Sequence, residues 1–298
     1  MMISLKDVVK TYAPNKELAV TAINGVSLDV ERGEFLVIIG RSGSGKTTLL
    51  NLVAGLTKPT SGEVLLESVN LWSLGDREQS LLRNQKIGFI FQFPSLLPSL
   101  TALENVALPT SFGPESKKDG AYARASHLLE TVGLTDKLNA YPRQLSAGQQ
   151  QRVVIARSLM NQPEILLADE ATSNLDEETE KEIMALFQKI HASTGVTILM
   201  VAHSTYLADY ATRSIRMANG AISASSKVTG SGTVYSSPPT TVVTAPAPVL
   251  PPPPEKLTTG SGTVYSSPPT TVATAPASVP LPPPEKLTTR AGKRRIRS

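Results

Sequence analysis

The segment Gly40–Thr47 reads GRSGSGKT and constrains the fold more than any other part of the 298-residue chain. It stands between the apolar run Phe35–Ile39, which has the length and composition of a buried strand, and a helical pattern over Thr47–Ala54. A glycine-rich turn that ends in Lys and Thr and leads into a helix presents backbone amides to a phosphate group. The sequence therefore predicts a strand, a phosphate-binding loop and a helix in direct succession.

We expect this loop to bind the phosphates of a nucleotide. The glycines let backbone amides wrap around phosphate oxygens, Lys46 reaches the β- and γ-phosphates, and the Thr47 hydroxyl is a ligand for Mg²⁺. The predicted nucleotide-binding residues of the loop and the first helical turn are Gly40, Ser42, Gly43, Ser44, Gly45, Lys46, Thr47 and Thr48.

Two acidic residues follow the apolar run Ile165–Ala168. Acids at the end of a strand often do no more than cap the next helix, so this motif is weak when it stands alone. Beside a phosphate-binding loop, however, a carboxylate is needed for the metal that accompanies the phosphates. The sequence therefore predicts Asp169 as a Mg²⁺ ligand and Glu170 as the base for the attacking water.

Short apolar runs alternate with helical patterns through the first 225 residues, which predicts an α/β domain with a mixed sheet. Two leading strands and two further buried strands are expected at Ile3–Val9, Ala19–Val30, Lys86–Phe91 and Val196–Ala202. Further helices are expected at Ala121–Val132, Gln149–Met160 and Glu177–Ala192. The absence of cysteine excludes disulfides and thiolate metal sites.

The apolar runs are too short to cross a membrane. The longest, Val196–Ala202, falls far below the roughly 20 residues that span a bilayer. The start of the chain is acidic within a few residues and has no apolar run, unlike a secretory signal. We therefore expect that the chain does not enter a membrane by itself.

The end of the chain differs sharply in composition. Fifteen of the 23 prolines lie after residue 227, and residues 230–259 recur as 260–289 with 26 of 30 positions identical. The net charge is −2 over 1–226 and +6 over 227–298, so the positive charge does not indicate a nucleic-acid-binding domain. Such proline-rich, low-complexity sequence buries too little apolar surface to fold. We expect one folded domain over 1–225 and a disordered tail over 226–298 with a basic end.

Further motifs resemble those of a known family, the ATP-binding cassette (ABC) ATPases, and occur in that family's order. Leu145–Arg152 reads LSAGQQQR, resembles the signature motif of the family and leads into a helical pattern. Gln92 resembles the glutamine of the Q-loop, Ser173–Asp176 the D-loop, and His203 the switch histidine. Tyr12 resembles the aromatic residue that stacks on adenine, although an aromatic side chain near a leading strand often serves only packing.

The resemblance covers about residues 1–224 and implies the P-loop NTPase fold of an ABC-type nucleotide-binding domain, with a helical subdomain over about 93–160. It also implies a head-to-tail pair of domains with two ATP molecules between them. By this resemblance, the further ATP contacts are Tyr12, Ser146, Gly148, Gln149 and Asp176. The catalytic residues are Glu170, His203, Gln92 and Lys46, and the Mg²⁺ ligands are Thr47, Gln92 and Asp169.

One copy of each motif cannot complete such a pair, so the resemblance implies a second copy or a paralogue. Because the chain has no spanning segment of its own, we expect a separate membrane permease, approached from the cytoplasmic face of the inner membrane. We expect no nucleic-acid partner. Two alternatives remain for the tail: a solvated extension without a specific partner, or an arm that binds a polyproline-recognising partner or, through its basic end, anionic lipid.

The stretch Phe91–Pro109 resembles the lipoprotein-releasing and macrolide-export subgroup of the family. This resemblance implies export or extraction of a lipid, lipoprotein or amphipathic cargo, with a membrane-fusion protein as a further partner. The alternative is a cell-division-type ATPase that transmits force through a membrane protein without moving cargo. The chain departs from the family pattern at Ala147, Ala171 and Ser204, but none of these removes a reacting group, so we expect an active ATPase.

Overall fold

The computed structural model describes residues 1–15, 18–112, 120–228 and 234–236. In chain order, its strands and helices are β1 (Ile3–Asn15), β2 (Leu18–Val30), β3 (Phe35–Ile39), α1 (Lys46–Val53), β4 (Ser61–Leu66), β5 (Val69–Asn70), α2 (Asp76–Lys86), β6 (Ile87–Ile90), α3 (Ala102–Ala107), α4 (Ala121–Thr131), α5 (Ala147–Leu159), β7 (Ile165–Asp169), α6 (Glu177–Thr194), β8 (Thr197–Ala202), β9 (Arg213–Ala218), β10 (Ala221–Val228) and β11 (Val234–Ser236).

A seven-stranded sheet with the order β11-β10-β9-β3-β8-β7-β6 forms the centre of the domain. Strands β9, β3, β8, β7 and β6 are parallel, and β10 and β11 extend one edge in antiparallel fashion. Every residue of β3, β7 and β8 is buried. Because successive side chains of a strand point to opposite faces, strands that are apolar throughout require a sheet covered on both faces. The predicted α/β domain with a mixed sheet is confirmed.

Two apolar cores cover the two faces of this sheet. A four-stranded antiparallel sheet, β2-β1-β4-β5, and helix α1 share one core with Leu36 and Ile38 of β3. The alternate residues of β3, which are Phe35, Val37 and Ile39, belong to the other core with α4, α5 and α6. The domain is therefore layered, with β3 at the centre and its carboxyl end leading directly into the predicted phosphate-binding loop.

Helices α3, α4 and α5 pack against one another within the range 93–160 for which a helical subdomain is expected. Helix α3 begins with a capping box in which Thr101 accepts a hydrogen bond from the Glu104 amide, and the Glu104 carboxylate accepts one from the Thr101 amide. None of the helices in the described ranges has the length and apolarity to cross a membrane.

Strand β10 continues past residue 225, where the domain is predicted to end, and pairs beyond it with β11. Strand β11 lies in the first tandem repeat. The rest of the two repeats and the basic end of the chain lie outside the described residues.

Candidate functional site

The predicted phosphate-binding loop connects the carboxyl end of β3 to α1, and the first residue of that helix is Lys46. Lys46 is only 4% exposed, and its ammonium donates to the carbonyl oxygens of Gly40 at 2.8 Å and Arg41 at 3.2 Å. The loop therefore curls around the lysine ammonium, which places a positive charge beneath backbone amides at a helix N-terminus.

Two glycines of the loop sit where a side chain has no room. Gly45 has a φ of +100°, and a β-carbon there would lie 2.3 Å from the carbonyl oxygen of Ala22. A β-carbon at Gly40 would lie 2.5 Å from Oγ of Ser44. That hydroxyl is buried and has no hydrogen-bond partner among the described residues. A buried, unpaired donor in a narrow backbone cradle fits a phosphate oxygen.

The carboxylate of Asp169 at the end of β7 reaches the start of α1, where the Thr47 hydroxyl donates to its Oδ1 at 3.1 Å. Burial raises the pKa of Asp169, as does the nearby Glu170 carboxylate, whereas the hydrogen bond from Thr47 and the charge of Lys46 act in the opposite direction. A hydroxyl and a carboxylate side by side are hard oxygen ligands. This donor set fits Mg²⁺, which takes few protein ligands and keeps several waters.

The carboxylate of Glu170 lies between a cation and an amide. Its Oε1 is 3.5 Å from Nζ of Lys46, and its Oε2 accepts a hydrogen bond of 3.3 Å from Nε2 of Gln92. The backbone of Glu170 has a φ of +46°, and its amide donates to the Val201 carbonyl on β8. The left-handed backbone conformation costs a residue other than glycine about 1 kcal/mol or more. The hydrogen bond to β8 helps to hold Glu170 in this strained conformation beside the loop.

A cavity of about 550 Å³ lies beside the phosphate-binding loop. His203, which follows β8, lines it together with four of the predicted loop residues, which are Gly40, Ser42, Gly43 and Ser44. Since β3 and β8 are parallel and Ile39 pairs with Ala202, the residues after both strands meet at one edge of the sheet. The structure therefore brings His203 to the loop from more than 150 residues away.

The same cavity is lined by residues that the sequence does not single out. The polar ones that follow or belong to β8 and β9 include Thr205, Arg216 and Asn219. Arg216 pairs with Ile39 in the parallel register of β3 and β9, so a prediction of β9 as a neighbour of β3 would have revealed it. The signal that was available in the sequence of β9 is its alternation, in which the apolar residues Ile215 and Met217 are buried and Arg216 between them is exposed.

A second group of predicted residues lies at the N-termini of α5 and α6. Ser146 caps α5 by accepting a hydrogen bond from the Gln149 amide, and the Gln149 side chain returns a bond to the Ser146 amide. Asp176 caps α6 by accepting from the Thr179 amide. Ser146 and Asp176 are exposed, whereas Gly148 is buried. None of these residues lines the cavity beside the loop of their own protomer.

Tyr12 on β1 is not brought to the cavity either. Its ring is 41% exposed, and the ammonium of Lys10 lies 4.9 Å from the ring centroid. Thr48 is half-buried in the first turn of α1. The structure thus gathers four of the eight predicted loop residues around the cavity, with Lys46, Thr47, Asp169, Glu170 and Gln92 linked beside them, and Tyr12 does not line it.

Comparisons of sequence and of structure with known proteins agree on one family. A family model described as ABC transporter matches residues 23–173. The chain is 48% identical over 200 residues to the lipoprotein-releasing system ATP-binding protein LolD of Aquifex aeolicus, covering 67% of this chain and 88% of that protein. It is 43% identical over 231 residues to the macrolide export ATP-binding/permease protein MacB of Syntrophobacter fumaroxidans, covering 77% of this chain but only 32% of that longer protein.

A solved structure of the ATP-binding cassette MJ0796 of Methanocaldococcus jannaschii, a dimer bound to ADP and Pi, superposes with a TM-score of 0.70 at 42% identity. The match covers 77% of this chain and all of that one. Together with the loop, the paired carboxylates and the layered sheet, these likenesses identify the domain. The chain therefore belongs to the ABC transporter family, as an ATP-binding subunit of the LolD- and MacB-like group.

Proposed function

We propose that the chain hydrolyses ATP to drive a membrane permease in a separate chain, and that two copies bind two ATP molecules between them. The observation that carries this proposal is the direct linkage of Lys46, Thr47, Asp169 and Glu170 at the carboxyl edge of the central sheet. These residues come from elements far apart in sequence, so their convergence is a property of the fold.

The phosphates of ATP bind in the loop. Lys46 and the unpaired Ser44 hydroxyl donate to phosphate oxygens, and the glycines admit the phosphates close to the backbone amides. Thr47, Asp169 and Gln92 hold Mg²⁺, which neutralises phosphate charge when it is bound. Because Asp169 is buried, its carboxylate gains more from a cation than an exposed one would.

Glu170 accepts a proton from the attacking water. In the structure its carboxylate is paired with Lys46, and we propose that phosphate binding draws that lysine away. Gln92 remains in contact and orients the carboxylate. His203, which lines the cavity, supplies a hydrogen bond to the terminal phosphate from that side.

The second copy completes each site. Ser146, Gln149 and Asp176 lie away from the cavity of their own protomer, yet Ser146 and Asp176 are exposed at helix N-termini, which favour an anion. In a head-to-tail dimer with two-fold symmetry, these residues of one protomer face the phosphate-binding loop of the other. The dimeric MJ0796 cassette supports such an assembly by likeness.

The permease docks on an exposed apolar surface that follows β6 and α3. Phe93 is 66% exposed and Leu97 44% in the segment after β6, and Phe112 is 73% exposed after α3; exposed side chains of this size favour a protein interface. The domain then lies at the cytoplasmic face of the inner membrane. By likeness to LolD and MacB, we propose a lipid, lipoprotein or amphipathic cargo, exported or extracted from the membrane.

Replacement of one exposed phenylalanine tests the docking surface. We expect Phe112→Asp to release the protein from membranes that contain its permease while leaving basal ATP hydrolysis unchanged. Tyr122→Asp is the matched control, because Tyr122 is also exposed, at 59%, but lies on α4. If Phe112→Asp stays on the membranes, Phe112 is not part of the docking surface. If both variants are released, the release of Phe112→Asp is not specific to this surface.

A further inference from the structure

The N-termini of α5 and α6 touch through one pair of residues. Gly148, in the first turn of α5, packs against Thr179, in the first turn of α6. A β-carbon at Gly148 would lie 2.6 Å from Cγ2 of Thr179, closer than two carbon atoms approach in proteins. The φ of Gly148 is not positive, so the close approach of Thr179 is what requires glycine at this position.

The orientation of Thr179 is fixed by Asp176. Its hydroxyl donates to Oδ2 of Asp176 at 2.8 Å, and its amide donates to Oδ1 at 2.9 Å. A threonine side chain has three staggered rotamers, and this hydroxyl bond selects one of them. The methyl group cannot turn away from Gly148 without breaking the bond to Asp176.

A second contact ties the same two helices further along. Arg152 on α5 pairs with Glu182 on α6 at 2.8 Å, and the other guanidinium nitrogen of Arg152 donates to the Val132 carbonyl. With contacts at Gly148–Thr179 and Arg152–Glu182, α5 and α6 resist sliding past each other. A displacement of the α6 N-terminus therefore also moves the turn that begins α5.

We propose that Thr179 is a positioning residue that couples Asp176 to the Ser146–Gln149 turn within one protomer. Its hydroxyl donates a hydrogen bond to Asp176, and its methyl group packs against Gly148. The inference rests on the proposed function, in which both ends of this connection face the second copy. A change at Asp176 on one side of the dimer interface then alters how Ser146 and Gly148 meet the ATP bound by the partner.

If this contact is real, a substitution at Thr179 should compensate for one at Gly148. Gly148→Ala creates the clash with Cγ2, and Thr179→Ser removes the clashing atom, after which the nearest atoms of residue 179 lie 3.9 and 4.0 Å away, an ordinary contact distance. Thr179→Ser also keeps the hydroxyl that bonds to Asp176. Thr179→Val retains a methyl group facing Gly148, lacks that hydroxyl and serves as the matched control.

The first measurement is the thermal unfolding of the nucleotide-free protein. We expect Gly148→Ala to lower the unfolding temperature, Gly148→Ala/Thr179→Ser to recover most of the loss, and Gly148→Ala/Thr179→Val to recover none. This measurement requires neither ATP binding nor a dimer, so it tests the contact independently of the proposed function. Equal recovery by serine and valine, or no recovery by serine, would overturn the contact.

The second measurement is the ATP concentration that half-saturates dimerisation, in a Glu170→Gln background that binds ATP and hydrolyses it slowly. We expect Gly148→Ala to raise this concentration about tenfold, within the usual range for contacting residues, and Thr179→Ser to restore it. With Gly148 intact, Thr179→Ser alone should instead weaken dimerisation, because the methyl contact is lost. A residue that only caps α6 would not show this reversal of sign.

The outcomes separate the two proposals. If Glu170→Gln forms no dimer with ATP, the proposed function fails, and the coupling across the dimer fails with it. If that variant dimerises normally but Thr179→Ser does not rescue Gly148→Ala, the proposed function stands and the coupling alone is overturned.

Discussion

At the scale of single residues, Glu170 is the group that we propose as the base for the attacking water. Its carboxylate lies 3.5 Å from the Lys46 ammonium and accepts a bond from Gln92. Glutamine at this position keeps the shape but removes the negative charge, and with it the base. We expect Glu170→Gln to lower turnover by about 10²–10⁴-fold, the usual contribution of a general base, while ATP binding persists. Hydrolysis at the wild-type rate would show that another group takes the proton.

Substitution of Gly45 tests whether the phosphate-binding loop requires glycine at this position. A methyl group at this position meets the Ala22 carbonyl at 2.3 Å, so we expect Gly45→Ala to abolish ATP binding and lower the unfolding temperature. Gly25→Ala is the control, because Gly25 also has a positive φ but has nothing within 4 Å of a β-carbon. The control should cost about 1–2 kcal/mol of stability and leave ATP binding intact. Equal effects on binding would contradict a steric role for Gly45.

The residues of the site were predictable to different degrees. Lys46 and Thr47 come after the apolar strand β3, and Asp169 and Glu170 come directly after the apolar run of β7. The carboxyl ends of parallel strands meet at one edge of a sheet. Arg216 was not predictable in this way, because β9 alternates and gives a weaker signal. The contact between Gly148 and Thr179 depends on how α5 and α6 pack, which no local pattern encodes.

At the scale of secondary-structure elements, strands buried on both faces were the easiest to predict. Strand β3 has the predicted bounds, and β7 and β8 differ from theirs by one residue. Helix α2 was missed because Leu81 and Leu82 are its only apolar residues, which is too few for a helical apolar pattern, and only Gln79 is buried. Helix α3 was missed because it has six residues, although the Thr-x-x-Glu pattern of its capping box was available.

Four charged side chains join separate elements at the opposite end of the sheet from the phosphate-binding loop. Arg32 pairs with Glu67 and Glu164, and Lys86 pairs with the same two carboxylates. The hydrogen bond from Arg32 and those from Lys86 hold the pKa of Glu164 below its ordinary value of 4.5, against the effect of burial. A lowered pKa means that the ionised form is favoured by folding.

This cluster predicts a pH-dependent stability. The contribution of Glu164 is present above its unfolded pKa and is lost as pH falls through the lower, folded value. Because the groups are partly exposed, we expect about 1 kcal/mol, or about 2–4 °C in the unfolding temperature, between wild type and Glu164→Gln at pH 7. The gap should narrow as the pH falls below the ordinary glutamate pKa of 4.5 and through the lower, folded value. Glu177→Gln, which breaks only an exposed pair with Lys181, should show a smaller gap, and an equal gap would argue against the cluster.

At the scale of the whole molecule, the residues that line the nucleotide cavity and the fully buried residues of the apolar cores all lie at or before residue 219 among the described residues. We therefore expect truncation after Ser236, the end of β11, to leave basal ATP hydrolysis and its dependence on ATP unchanged. A cut after residue 219 is the contrasting control, because it removes β10, which pairs along β9. A large loss of turnover in the chain that ends at Ser236 would show that the repeats contribute to catalysis.

We propose that two copies of the chain close on ATP. The molar mass of the Glu170→Gln variant in solution, measured by light scattering with and without ATP and Mg²⁺, tests this directly. We expect a monomer without nucleotide and twice that mass with it, and we expect that adding Lys46→Ala or Ser146→Arg keeps the protein monomeric. A variant that binds ATP to saturation and keeps the monomer mass would show that the two copies do not close on ATP.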